Sequence, residues 1–277
     1  MVDVIATKKL TAAIGAEVVE VDRDRLLEDP AVPGAVLEAL DEHGVLLFRQ
    51  IGVGDDELVS FGRRLGDLVA RPGHPIPEVT VITQTPDNHL AEYFKGNLLW
   101  HIDGAQDETP CKAGILSALV ISAGDGGTEF ASTYAAYDDL SEEEKERFTG
   151  LNVIHSLEAT LRPVFPDPTP EQLADWRSRG PGKEHPLVWK HRSGRRSLVL
   201  GAHADHIVGM EEEEGREILA DLLRRATRPE RVVRHDWTVG DLVIWDNTGV
   251  MHRVTDHNPS TQRELHRVTV AGEEPIQ

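Results

Sequence analysis

The stretch Leu98-Leu99-Trp100-His101-Ile102-Asp103 sets an imidazole and a carboxylate two residues apart at the end of an apolar run. On a strand, side chains at i and i+2 leave the same face, so His101 and Asp103 would aim at one point, and a metal ion is the obvious occupant. Two ligands do not make a site. Far downstream, Leu242-Val243-Ile244-Trp245-Asp246-Asn247 reads as another strand, and His252 lies just past it. Two histidines and one carboxylate with coordination positions left open is the facial ligand set of non-haem iron(II) centres that activate dioxygen.

Spacing alone leaves a rival pair. His203-Ala204-Asp205 repeats the His-x-Asp pattern at the end of a second apolar run, Ser197 to Gly201, with His206 following. Either pair could join His252. Two arginines, Arg263 and Arg267, come shortly after His252. Four residues apart on one strand, they point the same way, and a guanidinium fork takes a carboxylate through two parallel hydrogen bonds. Two of them on one face suit two anions.

The elements that must position these groups are mostly short strands. Runs around Val4-Ile5 and Ala16 to Val21 flank Gly15, Val45 to Phe48 reads as a buried strand, and further strands are expected over 79–83, 113–121 and 128–132. Later strands fall near 187–190, 196–201, 232–233, 241–246 and 267–271. Helical spacing predicts a helix from Val32 to Leu40, one from Asp56 to Leu65 capped by Asp55, and one over 211–226. Ser141 and Glu144 form a capping box that opens a fourth. Residues 160–186, rich in proline, read as a long loop bordering the site. Many short strands, few helices and no strand–helix alternation predict a mostly β fold, a double-stranded β-helix of jelly-roll, cupin-like type with helices packed outside.

At 277 residues the chain suits one domain, 1–277. A net charge of −19, from 48 acidic and 29 basic residues, argues against a nucleic-acid partner. The single cysteine, Cys111, excludes an intramolecular disulfide and points to a reducing, cytoplasmic setting. There is no apolar run of membrane-spanning length and no signal-like N-terminus, so no membrane is expected. Several conspicuous residues have plain readings. Glu211 to Glu214 form a solvated first helical turn. Trp237 and Trp245 belong to the core, Asp246 and Asn247 hydrogen-bond a turn, and Cys111 is inert. Tyr93 and Lys95 stand close enough to the 98–103 stretch to reach a pocket there.

With these motifs assembled, the chain resembles the TauD/TfdA group of Fe(II)/2-oxoglutarate-dependent dioxygenases from about Gly44 to Ala271. The resemblance rests on Trp-His-Ile-Asp (100–103), Gly-Gly-Thr-Glu-Phe-Ala (126–131), His-Pro-Leu-Val (185–188), Gly-Arg-Arg-Ser-Leu (194–198) and Trp-x-x-Gly-Asp-Leu-Val-Ile-Trp-Asp-Asn (237–247), completed by His252, Arg263 and Arg267. Gly-Ala-His-Ala-Asp-His-Ile-Val-Gly-Met (201–210) and the ending Arg-Val-Thr-Val-Ala-Gly (267–272) look closer to the TfdA-like, aryloxyalkanoate branch.

The resemblance implies that His101, Asp103 and His252 ligate Fe(II), while Thr128 and Arg263 hold the distal carboxylate of 2-oxoglutarate. Arg267 would meet the acidic group of the substrate. Asn97, His203 and His74 would lie at the substrate pocket. 2-Oxoglutarate and O2 would fill the open coordination positions, and oxidative decarboxylation to succinate and CO2 would generate the oxidant that takes a hydrogen from a C–H bond. Keeping Asp103, which related halogenases lack, implies hydroxylation or a related oxidation. The expected substrate is a small anion, a carboxylate or a sulfonate or sulfate; hydroxylation beside an ether oxygen would cleave the ether. A natural-product tailoring oxygenase of the same family, or a cupin-like zinc hydrolase or metal-binding protein, are the alternatives. A homo-oligomer is expected by resemblance.

Overall fold

The computed structural model describes residues 4–71, 75–83, 95–122, 126–179, 182–255 and 261–277. Its frame is a seven-stranded sheet built from β1 (Ala6–Lys9), β2 (Ala16–Val19), β3 (Val45–Phe48), β4 (Thr80–Thr83), β5 (Ala113–Ile121), β13 (Leu242–Asp246) and β15 (Arg263–Val270). The strand order is β1-β2-β3-β13-β5-β15-β4, antiparallel except where β2 meets β3. A three-stranded sheet faces it, with β6 (Thr128–Ser132) between β12 (Val232–His235) and β14 (Val250–Val254). Two smaller sheets extend the second layer: β7 (Asn152–His155) between β8 (Lys183–Pro186) and β11 (Ala204–Ile207), and the pair β9 (Val188–Lys190) and β10 (Arg196–Leu198). This is the expected double-stranded β-helix.

Side-chain alternation explains why the strands read as unbroken apolar runs. On β13, Leu242 and Ile244 pack outward with α1 (Arg23–Glu28), α2 (Val32–His43) and α3 (Asp55–Arg63). Val243 and Trp245 point the other way, into a core between the sheets shared with Phe130, Val250 and Leu265. Both faces are covered, so both parities are apolar. The outer face of the second sheet is closed by α4 (Thr133–Asp138), α5 (Glu142–Phe148) and α8 (Glu212–Ala226), whose Leu219 and Leu222 pack with Ala131 and Met251.

Several expectations are corrected. The 98–103 stretch is not a strand: residues 95–98 make a 3-10 turn, and His101 alone forms a β-bridge, to His252. His252 does follow β13, as expected, but it sits within a strand of its own, β14, that was not expected. The final strand begins at Arg263, four residues earlier than predicted, and so carries both arginines. The proline-rich 160–186 region is not one long loop. It holds the end of α6 (Leu157–Leu161), then α7 (Pro170–Arg179) and β8. Pro170 stands at the first helical position, where a proline is tolerated, and Thr169 and Gln172 cap the helix reciprocally. The unpredicted helices α1, α4 and α6 are too short for an apolar period, yet each starts on a side-chain cap, from Asp22, Ser132 and Ser156. Asp55 is the first residue of α3 rather than its cap; Glu57 reaches back to the Gly54 amide, and Asp55 instead meets His266 Nδ1 at 2.5 Å. Among the described residues no helix is long and apolar enough to cross a membrane.

Candidate active site

His101, Asp103 and His252 come together at the mouth of the space between the two main sheets. Their ligand atoms lie within 4.8 Å of one another, and they are the one such group of histidine, cysteine or acidic residues among the described residues. Asp103 Oδ2 stands 3.7 Å from His252 Nε2, and Oδ1 stands 3.9 Å from His101 Nε2. His101 Nδ1 lies 2.8 Å from the Leu99 carbonyl. It must donate there, which leaves the Nε2 lone pair facing the carboxylate, the tautomer a metal ligand requires. His252 is packed between Phe130 and Trp245, with ring centroids 6.2 and 4.7 Å away. This donor set of two neutral imidazoles and one carboxylate fits a divalent transition metal with open positions.

The protonation states agree with that use. Burial, and next the neighbouring His101, lower the His252 pKa to about 3, so its imidazole is neutral. Burial also lowers His101, against the pull of Asp103. For Asp103, burial acts to raise the pKa, but Arg267 and the two imidazoles outweigh it and hold the carboxyl well below the usual range. Arg267 Nη1 donates to Asp103 Oδ2 at 2.9 Å.

The backbone under the cluster is fully engaged. His101 exchanges both of its backbone hydrogen bonds with His252, each at 3.0 Å. The Asn247 side chain acts as a one-residue strand partner for Asp103: its Oδ1 accepts from the Asp103 amide and its Nδ2 donates to the Asp103 carbonyl, both at 2.9 Å. The Ile102 amide donates to His203 Nε2 at 3.3 Å. Asn247 is thus a hydrogen-bonding residue, as expected, but its partner is the Asp103 backbone and not merely a turn.

A cavity of about 630 Å3 opens onto the cluster, and Asn97, Thr160, Arg179, His203 and Arg267 are among the residues lining it. Thr128 and Arg263 do not line this cavity; both are buried between the sheets. Thr128 shares a face of β6 with Phe130, and Arg263 shares a face of β15 with Leu265. Phe130 and Leu265 belong to one core cluster, so the hydroxyl and the guanidinium point into the same interior from opposite sheets. Trp237 Nε1 donates to Thr128 Oγ1 at 3.0 Å.

The rival pair is not assembled. His203 points inward to Ile102, whereas Asp205 pairs with Arg216 at 2.9 Å, and the strand is irregular between Ala204 and His206. His74 and Tyr93 lie outside the described residues. Lys95 stacks over Phe165, 4.8 Å from its centroid. Burial, and then Asp103, push the Cys111 thiol pKa up, so it stays protonated and unreactive. A second cavity, about 700 Å3, lies on the far side of α6, edged by Arg162, Arg177 and Arg216, and among the described residues it contains no metal-ligating cluster.

The model of the taurine catabolism dioxygenase TauD, TfdA family matches residues 6–269. The chain belongs to that family. An alpha-ketoglutarate-dependent 2,4-dichlorophenoxyacetate dioxygenase from Burkholderia sp. (strain RASC) is 36% identical over 260 residues, covering 88% of this chain and 86% of that protein. An alpha-ketoglutarate-dependent sulfate ester dioxygenase from Pseudomonas putida is 35% identical over 269 residues, covering 95% and 88%. Among solved structures, AAD-2 in complex with Mn(II) and N-oxalylglycine superposes with a TM-score of 0.84 at 32% identity, covering 99% of both chains. The branch expected from residues 201–210 agrees with these likenesses.

Proposed function

We propose that His101, Asp103 and His252 hold Fe(II), and that the protein hydroxylates a C–H bond of a small anionic molecule using 2-oxoglutarate and O2. The enzyme class follows from family membership; that same membership sets aside the zinc-hydrolase alternative. The observation that carries the residue assignment is the convergence of the three ligand atoms within 4.8 Å at the base of a cavity that Arg267 also lines. Bound Fe(II) supplies dioxygen activation coupled to decarboxylation of the keto acid.

The residues around it have separable tasks. Thr128 and Arg263 bind the distal carboxylate of 2-oxoglutarate from opposite sheets. Because Trp237 donates to Thr128 Oγ1, the hydroxyl proton is directed elsewhere and can meet an anion. Arg267 orients the acidic group of the substrate; a guanidinium has five donors, so its bond to Asp103 is compatible with an anion on the same fork. Asn97 contacts the substrate from the cavity wall. Phe130 and Trp245 keep water from the buried flank of His252.

The relatives' substrates support a carboxylate or a sulfate ester, with ether cleavage where oxidation falls beside an ether oxygen. The test is an anaerobic visible difference spectrum, adding Fe(II) and then 2-oxoglutarate, followed by succinate release with phenoxyacetate and an alkyl sulfate. A weak charge-transfer band that His101→Ala abolishes is expected. A band surviving in His101→Ala, or wild-type turnover by Asp103→Ala, overturns the assignment.

A further inference from the structure

His203 lines the cavity, which invites a substrate-binding role, but both of its ring nitrogens already have partners inside the protein. Nε2 faces the Ile102 amide at 3.3 Å and must accept. The ring proton therefore sits on Nδ1, and Nδ1 lies 2.8 Å from His155 Nδ1. His155 must accept there and carry its own proton on Nε2. One N–H of the backbone thus fixes the tautomers of two buried rings in turn. Both side chains are almost wholly buried, at 0% and 2% exposure, and burial lowers both pKa values, which keeps the rings neutral as this chain of bonds requires.

The backbone around them is shaped for the same contact. Ala202 donates to the Trp100 carbonyl at 2.8 Å, and Ser156 donates to the His203 carbonyl at 2.9 Å. At Gly201, φ is +146°, and a Cβ would come 2.7 Å from His203 Nε2, 2.9 Å from the Trp100 oxygen and 3.1 Å from His101 Cα. Only glycine lets the 201–203 segment approach the 100–102 segment this closely.

We propose that His155 and His203 are positioning residues that fix the Ile102 amide between two metal ligands and so set the geometry of His101 relative to Asp103. This rests on the reading of His101, Asp103 and His252 as the metal site. His203 acts through the backbone and not by contact with substrate, and His155, which lines no part of the cavity, matters to the metal as much as His203 does.

The experiment is calorimetric titration of Mn(II) into the metal-stripped full-length protein, wild type against His203→Leu, His203→Gln and His155→Leu. Each Leu variant should bind Mn(II) roughly tenfold more weakly or worse, the scale on which partners behind the ligands act. His203→Gln should regain most of the affinity, because its Oε1 can stand near the position of Nε2 and accept from Ile102. Wild-type affinity in a folded His155→Leu protein, or failure of Gln to restore it, overturns the proposal. If the wild type itself binds no Mn(II), the metal-site reading fails instead. A measurement that needs no variant is a 15N spectrum of the histidine rings in the metal-free wild type. It should show a coupling across an Nδ1–H···Nδ1 hydrogen bond between one Nδ1-protonated and one Nε2-protonated ring, and absence of that coupling also overturns the proposal.

Discussion

Arg267 donates from Nη1 to Asp103 Oδ2 at 2.9 Å, joining the last strand to the carboxylate of the candidate metal-binding cluster. The bond is between opposite charges in a site where Asp103 would otherwise be costly to keep ionised, since burial alone raises its pKa. A charge-assisted bond of this kind contributes about 1.5–3 kcal/mol. Arg267→Leu should therefore lower kcat/KM for an anionic substrate by about 10–100-fold and weaken Mn(II) binding as well. Arg267→Lys should recover metal affinity better than substrate affinity, because an ammonium keeps the charge but not the fork. Equal kcat/KM for Arg267→Leu and wild type would reject this role.

The Thr128 hydroxyl is oriented by Trp237 Nε1 at 3.0 Å. Trp237→Phe removes the donor while keeping an aromatic body in the core. Without it the hydroxyl is free to turn away from the keto acid. We expect a 2-oxoglutarate affinity loss of roughly fivefold, near 1 kcal/mol, and a larger loss in Thr128→Val. Arg263→Leu should remove the rise in melting temperature that 2-oxoglutarate gives the Fe(II) protein. Thermal shift across a 2-oxoglutarate series reads all three; a full-sized shift in Arg263→Leu contradicts the assignment.

How much of this the sequence reveals follows from the range of each interaction. The apolar runs of β3, β5 and β13 are legible because burial on both faces demands them. The facial cluster is legible as residue types, but not as geometry. His101 and His252 meet through a single bridge between segments 151 positions apart, a pairing that no local period encodes. Gly114, the second residue of β5, looks like a weakness until its neighbour is seen. A Cβ there would come within 2.1 Å of the Trp245 ring, and that ring packs on His252. The short helices after Asp22, Ser132 and Ser156 were signalled only by their caps. The partners of His203 and Asn247 are not legible, although Asn247 reads as a hydrogen-bonding residue, since both side chains bond to a distant backbone.

Asn247 yields the next prediction. It is fully buried, and its amide bonds the Asp103 N–H, the Asp103 carbonyl and the Cys111 carbonyl, each at 2.9 Å. Asn247→Ala leaves the partners without it, at about 1–3 kcal/mol for each buried group not otherwise satisfied. We expect a clear fall in melting temperature together with weaker Mn(II) binding. Asn247→Asp, isosteric but unable to donate to the two carbonyls, should be no better. Loss of stability with unchanged metal affinity would mean that Asn247 supports the fold alone.

The buried histidines give a pH dependence whose sign can be worked out. Burial, and then Arg195, lower the His191 pKa to about 4, well under the unfolded value of about 6.5. Between those limits the unfolded chain binds a proton that the folded chain refuses, so acid favours unfolding: the stability His191 confers when neutral is present above about pH 6.5 and is lost as the pH falls toward 4. His191 does not line the cavity at His101 and Asp103; its Nε2 meets Ser197 Oγ at 2.8 Å, and its ring lies 4.5 Å from that of Trp189. Relief of the −19 net charge works in the opposite sense as the pH falls, so absolute melting temperatures do not isolate the effect. The difference between wild type and His191→Gln does. Glutamine loses packing and should be the less stable protein at pH 7.5, but it takes up no proton, so the gap in melting temperature should narrow steadily down to pH 4.5. A gap that stays constant over that range would show that His191 does not remain neutral in the folded protein.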